Sequence, residues 1–430
     1  MDAATYQDYV NILHEELVPA MGCTEPIAIA YAAAVARQTL GRPAQRMEVE
    51  ASGNIIKNVK SVFVPNTGGL RGIPAAAAAG MAAGDPALEL EVLSSIGEGE
   101  QAAIRQYLAD TPIAVKLADS PFIFDIAIRA WAGEDSALVR IVNYHTNIVR
   151  VERNGQVLKE VEAQAAAEEG LTDKSVLTVE GILEFAREAA LADVEDAVGR
   201  QVRYNTAIAQ EGLRGDYGAN IGKVLLATYG DDVKIRAKAM AAAGSDARMN
   251  GCGLPVVIVS GSGNQGLTAS LPVVEYAKEL GADWETTLRA VLVSDLITIH
   301  LKAEIGRLSA YCGAVSAGCG SGAGIAWLYG REKEPQALLK DVSHTIVNAL
   351  AVDSGIVCDG AKASCAAKIA SAVDAGLLGF YMYQNGQQFR GGDGIISKGV
   401  EETIRNIGLL ATQGMRETDR EILDIMTTRC

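Results

Sequence analysis

Apolar and polar positions alternate most clearly in three stretches. RMEVEA (46–51) steps outward and inward and predicts a strand, and the Gly53–Asn54 pair after it reads as a turn into a polar loop ending at Asn66, Gly68 and Gly69. TPIAVKLA (111–118) and LVRIVNYHTNIVRVERNGQVL (138–158) repeat the strand pattern, the second as a hairpin turning at Asn154–Gly155. Before them, the first 36 residues read as helical through Leu13, Val18 and AIAYAAAVA (28–36). PAMGCTEP (19–26) interrupts that pattern: Pro19 and Pro26 bracket a connector, and Cys23 sits in the break, free to face a cleft. From about Ala163 to Gly281 the spacing turns largely helical, and ETTLRAVLVSDLITIHLKAEIG (285–306) continues it towards the C-terminus. The expected fold is α+β, with a mixed region over 1–165 and a mainly helical region over 166–430.

Composition narrows the function classes. With 49% hydrophobic residues and a slightly positive mean hydropathy, 430 residues can bury a large core. The 53 acidic against 38 basic residues give a formal charge of −15, which works against phosphate backbones and anionic membranes. A small-molecule partner is the expectation, with no nucleic acid and no membrane. AAAAAGMAAG (75–84) and RAKAMAAAGSDA (236–247) are too short or too polar to span a bilayer. No basic start followed by a long apolar segment is present, so the seven cysteines are read as reduced thiols in the cytoplasm. The abundance of alanine leaves homo-oligomerisation open.

The thiols fall in a pattern. Cys312 and Cys319 are seven apart, and Cys358 and Cys365 repeat that spacing. On an unbroken helix such pairs share a face but lie about 10 Å apart along the axis, which is awkward for one small metal centre. Gly313, Gly318 and Gly360 are positioned to bend the backbone and let thiolates converge. No Cys-x-x-Cys pair or zinc-protease histidine spacing occurs, so the choices are buried packing or an iron–sulfur cluster held from distant segments.

Six segments carry a resemblance: GCTEP (22–26), SGNIIKN (52–58), PNTGGLRGIPAAAAAG (65–80), SGSGNQG (260–266), EIGRLSAYCG (304–313) and GIVCDGAKASC (355–365). Together they resemble the L-cysteine desulfidase (UPF0597) family, which is distantly similar to the alpha chain of iron–sulfur L-serine dehydratases. The resemblance implies a [4Fe–4S] cluster on three cysteines, with Cys358 and Cys365 as two ligands and Cys23 as the catalytic cysteine. Cys312 is the choice for the third ligand, and Cys319 is the alternative. The implied reaction is α,β-elimination from L-cysteine to hydrogen sulfide, ammonia and pyruvate.

Asn54, Asn66, Thr67 and Asn264 sit in Gly-rich segments and are the candidates to hold the substrate, with Lys57 and Arg71 as added charge. Each reads equally well as a turn residue. Gly261, Gly263 and Gly266 form a GxGxxG after the apolar run LPVVIV, with Glu279 and Asp283 downstream. Pro272 soon after the loop argues against a dinucleotide site, and the glycines are assigned to a backbone-lined pocket. His145 is expected to be structural or exposed, and His300 and His344 to be core histidines. Cys252 and Cys430 carry no assigned role, although Cys430 could fold back as a surrogate ligand. Rival functions are L-serine dehydration by the same machinery, a thiol or metal redox regulator, and a nicotinamide enzyme.

Overall fold

The structure is a computed structural model and describes residues 1–163 and 171–428. The expected 165/166 boundary and Cys430 both lie outside the described residues.

The chain opens with α1 (Ala3–Glu16), β1 (Pro19–Met21) and α2 (Thr24–Leu40). Pro26 does not bracket a connector; it occupies the first turn of α2, where its missing N–H has no intrahelical acceptor to lose. β2 (Arg46–Ala51) follows, then α3 (Gly53–Val59) and α4 (Gly72–Ala83). The expected turn at Gly53–Asn54 is therefore the start of a helix, whose residues Ile55 and Val59 go into the core. α5 (Glu98–Asp110) leads to β3 (Ile113–Leu117), β4 (Asp125–Ala132), β5 (Asp135–Val142), β6 (Ile148–Arg153) and β7 (Gln156–Glu160). These make a six-stranded sheet in the order β3-β2-β4-β5-β6-β7, antiparallel except where β2 meets β3. The hairpin turns at Asn154 and Gly155, both at positive φ, as the sequence predicts. α2 lies across β4, β5 and β6, and its alanines let α4 pack close behind it.

Helices then dominate: α6 (Val179–Glu188), α7 (Leu191–Arg214), α8 (Ile221–Tyr229) and α9 (Val233–Met249), the short β8 (Pro255–Val257), and α10 (Gly263–Glu279). They continue as α11 (Trp284–Ile305), α12 (Gly313–Gly330), α13 (Pro335–Val352), α14 (Cys365–Gln384), α15 (Val400–Leu409) and α16 (Arg416–Thr428). The fold is α+β. Pro272 lies inside α10 instead of ending it. β8 pairs antiparallel with β1, so the glycine loop after it belongs to no parallel βαβ unit, and the dinucleotide reading loses its scaffold. By length and composition α14 could cross a bilayer, yet half of it is packed inside the fold, against α9, α12 and α13.

Candidate active site

Two short pairings gather distant segments. The β1–β8 ladder sets Pro19 beside Val257 and Met21 beside Pro255, so the chain leaving β1 at Cys23 runs next to the turn leaving β8. Thr24 Oγ1 donates to the Gly261 carbonyl there at 2.9 Å. That turn uses positive φ at Ser260 (48°) and Gly261 (79°), and a Cβ on Gly261 would lie 3.1 Å from the His145 ring and 3.3 Å from Arg307. The second pairing joins 310–312 to 356–358. The Cys312 N–H donates to Ile356 O at 2.9 Å and the Cys358 N–H donates to Ala310 O at 2.7 Å, which brings Cys312 and Cys358 alongside. Gly360, at φ +90°, then turns the chain so tightly against α3 that a Cβ would sit 2.3 Å from the Lys57 carbonyl. The chain re-enters a helix at Cys365.

Cys23, Cys312, Cys358 and Cys365 line one cavity of about 100 Å³. Four helices begin at it: α2 with Cys23 as N-cap, α10 after Ser262, α12 with Cys312 as N-cap, and α14 with Cys365 as its first residue. None of these N-caps bonds its helix through a side chain; the Cys365 and Ala366 N–H groups of α14 turn back to the Lys362 and Ala363 carbonyls, and the partial positive charge of each helix end borders the cavity. Arg248, Lys302, Arg307 and Lys368 also line the cavity, against the single carboxylate of Glu25. A chain of charge −15 thus holds a locally positive pocket.

Within the pocket, the Cys23 thiol donates to Glu25 Oε2 at 3.1 Å, while Asn58 Nδ2 holds Glu25 Oε1 at 3.0 Å. Burial, and then the Glu25 charge, push the Cys23 thiol well above its ordinary range. The Cys312 thiol hydrogen-bonded to it, with the Lys57 charge helping, holds Cys358 below its ordinary range, and Cys312 is raised by the same contact. Burial raises Cys365. His145 packs edge-on against Phe124 at 4.8 Å, and burial lowers it to about 4, so it is neutral at pH 7.

Among the described residues, no three His, Cys, Asp or Glu side chains close around one point as a mononuclear ion requires. An iron–sulfur cluster makes a different demand, because its thiolates bind different irons and surround a volume. The donor set of Cys312, Cys358 and Cys365 around one cavity fits that demand. The cavity also holds unpartnered buried atoms: among the described residues, His145 Nε2, Arg248 Nε, Asn264 Oδ1, Gln265 Oε1, Asn58 Oδ1 and Tyr311 Oη belong to cavity-lining residues and lack a hydrogen-bond partner.

Whole-chain similarity fits the motif pattern. A UPF0597 protein of Desulfitobacterium hafniense (strain Y51) is 58% identical over 425 residues, which is 99% of this chain and 97% of that protein. UPF0597 proteins of Lachnoclostridium phytofermentans and Treponema denticola are 51% and 45% identical, over 98% and 99% of this chain and 99% of each relative. The chain belongs to the UPF0597 family. Residues 87–424 of this UPF0597 chain also match the family model described as serine dehydratase alpha chain.

The remaining candidate residues divide in this UPF0597 fold. Asn264 lines the cavity at the start of α10. Asn54 does not; its Nδ2 donates to Asp419 at 2.8 Å. Asn66, at φ 57°, donates to Leu93 O, and Thr67 Oγ1 donates to Val64 O, so both build a turn away from the cavity. Arg71 stacks on Phe63, and Lys57 is paired with Asp419. Cys319 lies inside α12 facing the Ile346 carbonyl, whereas Cys312 faces the cavity; Gly313 and Gly318 are helical and do not bend the chain between them. Cys252 neighbours Tyr217, His300 pairs with Glu401 at 2.7 Å, and His344 stacks on Tyr383. Glu25, Asn58, Arg248, Gln265 and Tyr311 line the cavity without having been singled out in the sequence, and His145 lines it buried and not exposed.

Proposed function

We propose that this chain is a lyase that catalyses α,β-elimination from L-cysteine, giving hydrogen sulfide, ammonia and pyruvate. The observation that carries the reading is the convergence of Cys23, Cys312, Cys358 and Cys365 on one cavity ringed by helix N-termini. Cys312, Cys358 and Cys365 would hold a [4Fe–4S] cluster, which when bound supplies a Lewis-acidic iron able to stabilise charge on a leaving group. The rest of the chemistry falls to side chains. Glu25, 3.1 Å from the Cys23 sulfur, first takes the thiol proton, and the Cys23 thiolate so formed takes the Cα proton. Asn58 keeps the Glu25 carboxylate in place for that exchange. The Cα–H electrons form Cα=Cβ, the Cβ–S bond breaks, and sulfide leaves with a proton. The 2-aminoacrylate then tautomerises and takes up water to give pyruvate and ammonia.

Similarity to the serine dehydratase alpha chain supports a second substrate, L-serine, with water leaving in place of sulfide. On the proposed division into 1–165 and 166–430, the first region contributes Cys23 and Glu25 and the second the three thiols. A reducing cytoplasm is the proposed location.

The test is iron and acid-labile sulfide content together with turnover of both amino acids, on protein purified without oxygen. Four irons and four sulfides per chain with sulfide release from L-cysteine are expected; iron-free protein after anaerobic reconstitution sinks the mechanism. Cys23→Ala is expected to keep the iron and lose elimination by at least about 100-fold. Cys312→Ala is expected to lose iron and Cys319→Ala to keep it.

A further inference from the structure

Arg248, near the end of α9, is 3% exposed, lines the cavity, and makes no ion pair among the described residues; its Nε has no partner. Arginine cannot shed its proton to ease burial, so a guanidinium in this position calls for an anion. The other cations nearby are engaged: Arg307 with Glu16 at 2.7 Å, and Lys368 with Asp359. A Cβ on Gly263 would lie 2.4 Å from Arg248 Nε, so the guanidinium rests against the first residue of α10. That helix has no side-chain cap, which leaves the Gly263, Asn264 and Gln265 amides to a ligand. Gln265 is 4% exposed with its Oε1 unpartnered, and a Cβ on Gly313 would lie 2.6 Å from its side chain, next to Cys312.

We propose that Arg248 and the N-terminus of α10 form a subsite for the α-carboxylate of an amino-acid substrate. The assignment of that carboxylate to a substrate rests on the elimination reading; the carboxylate subsite itself does not. A planar fork beside helix amides matches a carboxylate at both of its oxygens. Anchored there, the ligand directs its Cα and Cβ towards a cavity walled by Cys23 and the three thiols. Gly263 is needed because a side chain there would displace the guanidinium.

The probe is L-alanine, which has the α-carboxylate and amine but no leaving group. Titration calorimetry on the anaerobically purified full chain is expected to show L-alanine binding that falls at least tenfold in Arg248→Gln. The Arg248→Gln KM for L-cysteine is expected to rise at least tenfold, with kcat reduced less and iron content unchanged. An Arg248→Gln chain with wild-type L-alanine affinity and wild-type KM overturns the subsite while leaving elimination standing. A wild-type chain that binds L-alanine through Arg248 yet never releases sulfide or pyruvate leaves the subsite standing and removes the elimination reading. Should Arg248→Gln not fold, the wild-type chain decides: L-alaninamide, with a neutral amide for the carboxylate, is expected to bind at least tenfold more weakly than L-alanine. Equal binding of the two, or no L-alanine binding at all, overturns the proposal.

Discussion

His145 is a buried imidazole whose proton affinity is set by its surroundings. Packed on Phe124 and shut away from water, it has its pKa lowered to about 4 from an ordinary 6.5. Between those values the unfolded chain binds a proton that the folded chain refuses, so stability falls as pH drops from 6.5 towards 4 and is fully present above 6.5. His145→Gln removes that dependence. The stability difference, wild type minus variant, is expected to fall by about 2 kcal/mol between pH 7 and pH 5, measured from urea midpoints. A difference that stays flat would mean the imidazole is hydrated in the fold. The same residue marks where sequence reading stopped. Its strand-like alternation gave no hint that the ring would meet Gly261, because only the β1–β8 pairing brings that turn to it. Cys23, Cys358 and Cys365 stand inside the motifs that carry the family resemblance, so they could be singled out. Arg248 and Gln265 could not, since a buried Arg differs from a surface one only through its tertiary neighbours.

Helix ends supply much of the site, and how closely helices approach decides where those ends lie. α12 and α14 start with cavity thiols and are held together by a seam of small residues. A Cβ on Gly318 would lie 2.2 Å from the Ala372 carbonyl, and one on Gly376 would lie 2.1 Å from the Gly318 carbonyl. Gly318→Ala is therefore expected to destabilise by about 1–3 kcal/mol despite alanine's better helix propensity. At Gly99 in α5, a Cβ meets nothing within 4 Å, and Gly99→Ala is expected to be neutral or to stabilise by up to about 1 kcal/mol. Paired thermal melts check the opposite signs, and equal shifts would refute the seam. Elements with strong local signals were legible: β2 occupies Arg46–Ala51 as its alternation predicts, and the Asn154–Gly155 hairpin turns where its residues allow positive φ. α3 was not, because Gly53–Asn54 after a strand is ordinary turn chemistry. Docking of Ile55 and Val59 into the core settles that segment as a helix. Likewise Pro272 is tolerated inside α10 by a fully packed environment that local propensity does not register.

Across the whole molecule, the last helix is tied to the third. Lys57 in α3, with its side chain 1% exposed, is paired with Asp419 in α16, and Asn54 bonds the same carboxylate at 2.8 Å. Lys60 adds a bond to the Met426 carbonyl, and Leu423 covers Gly53. This clasp reaches the cavity twice, because the Lys57 carbonyl packs against Gly360 and the Lys57 charge acts on Cys358. Asp419→Ala leaves a buried ammonium without its counter-ion, and the expected cost is about 3 kcal/mol in urea unfolding. On the proposed cluster reading, it is also expected to lower iron retention during anaerobic gel filtration, although no thiol is altered. Lys57→Met with Asp419→Leu separates the two causes, since well-packed apolar residues can replace a buried pair with little loss. If the clasp acts only by holding α16 and α3 in place, the double variant recovers both stability and iron. If the Lys57 charge itself favours the Cys358 thiolate, the double variant recovers stability while iron retention stays low. The proximity of Lys57 to Cys358 favours the second outcome, and recovery of both would assign the clasp to architecture alone.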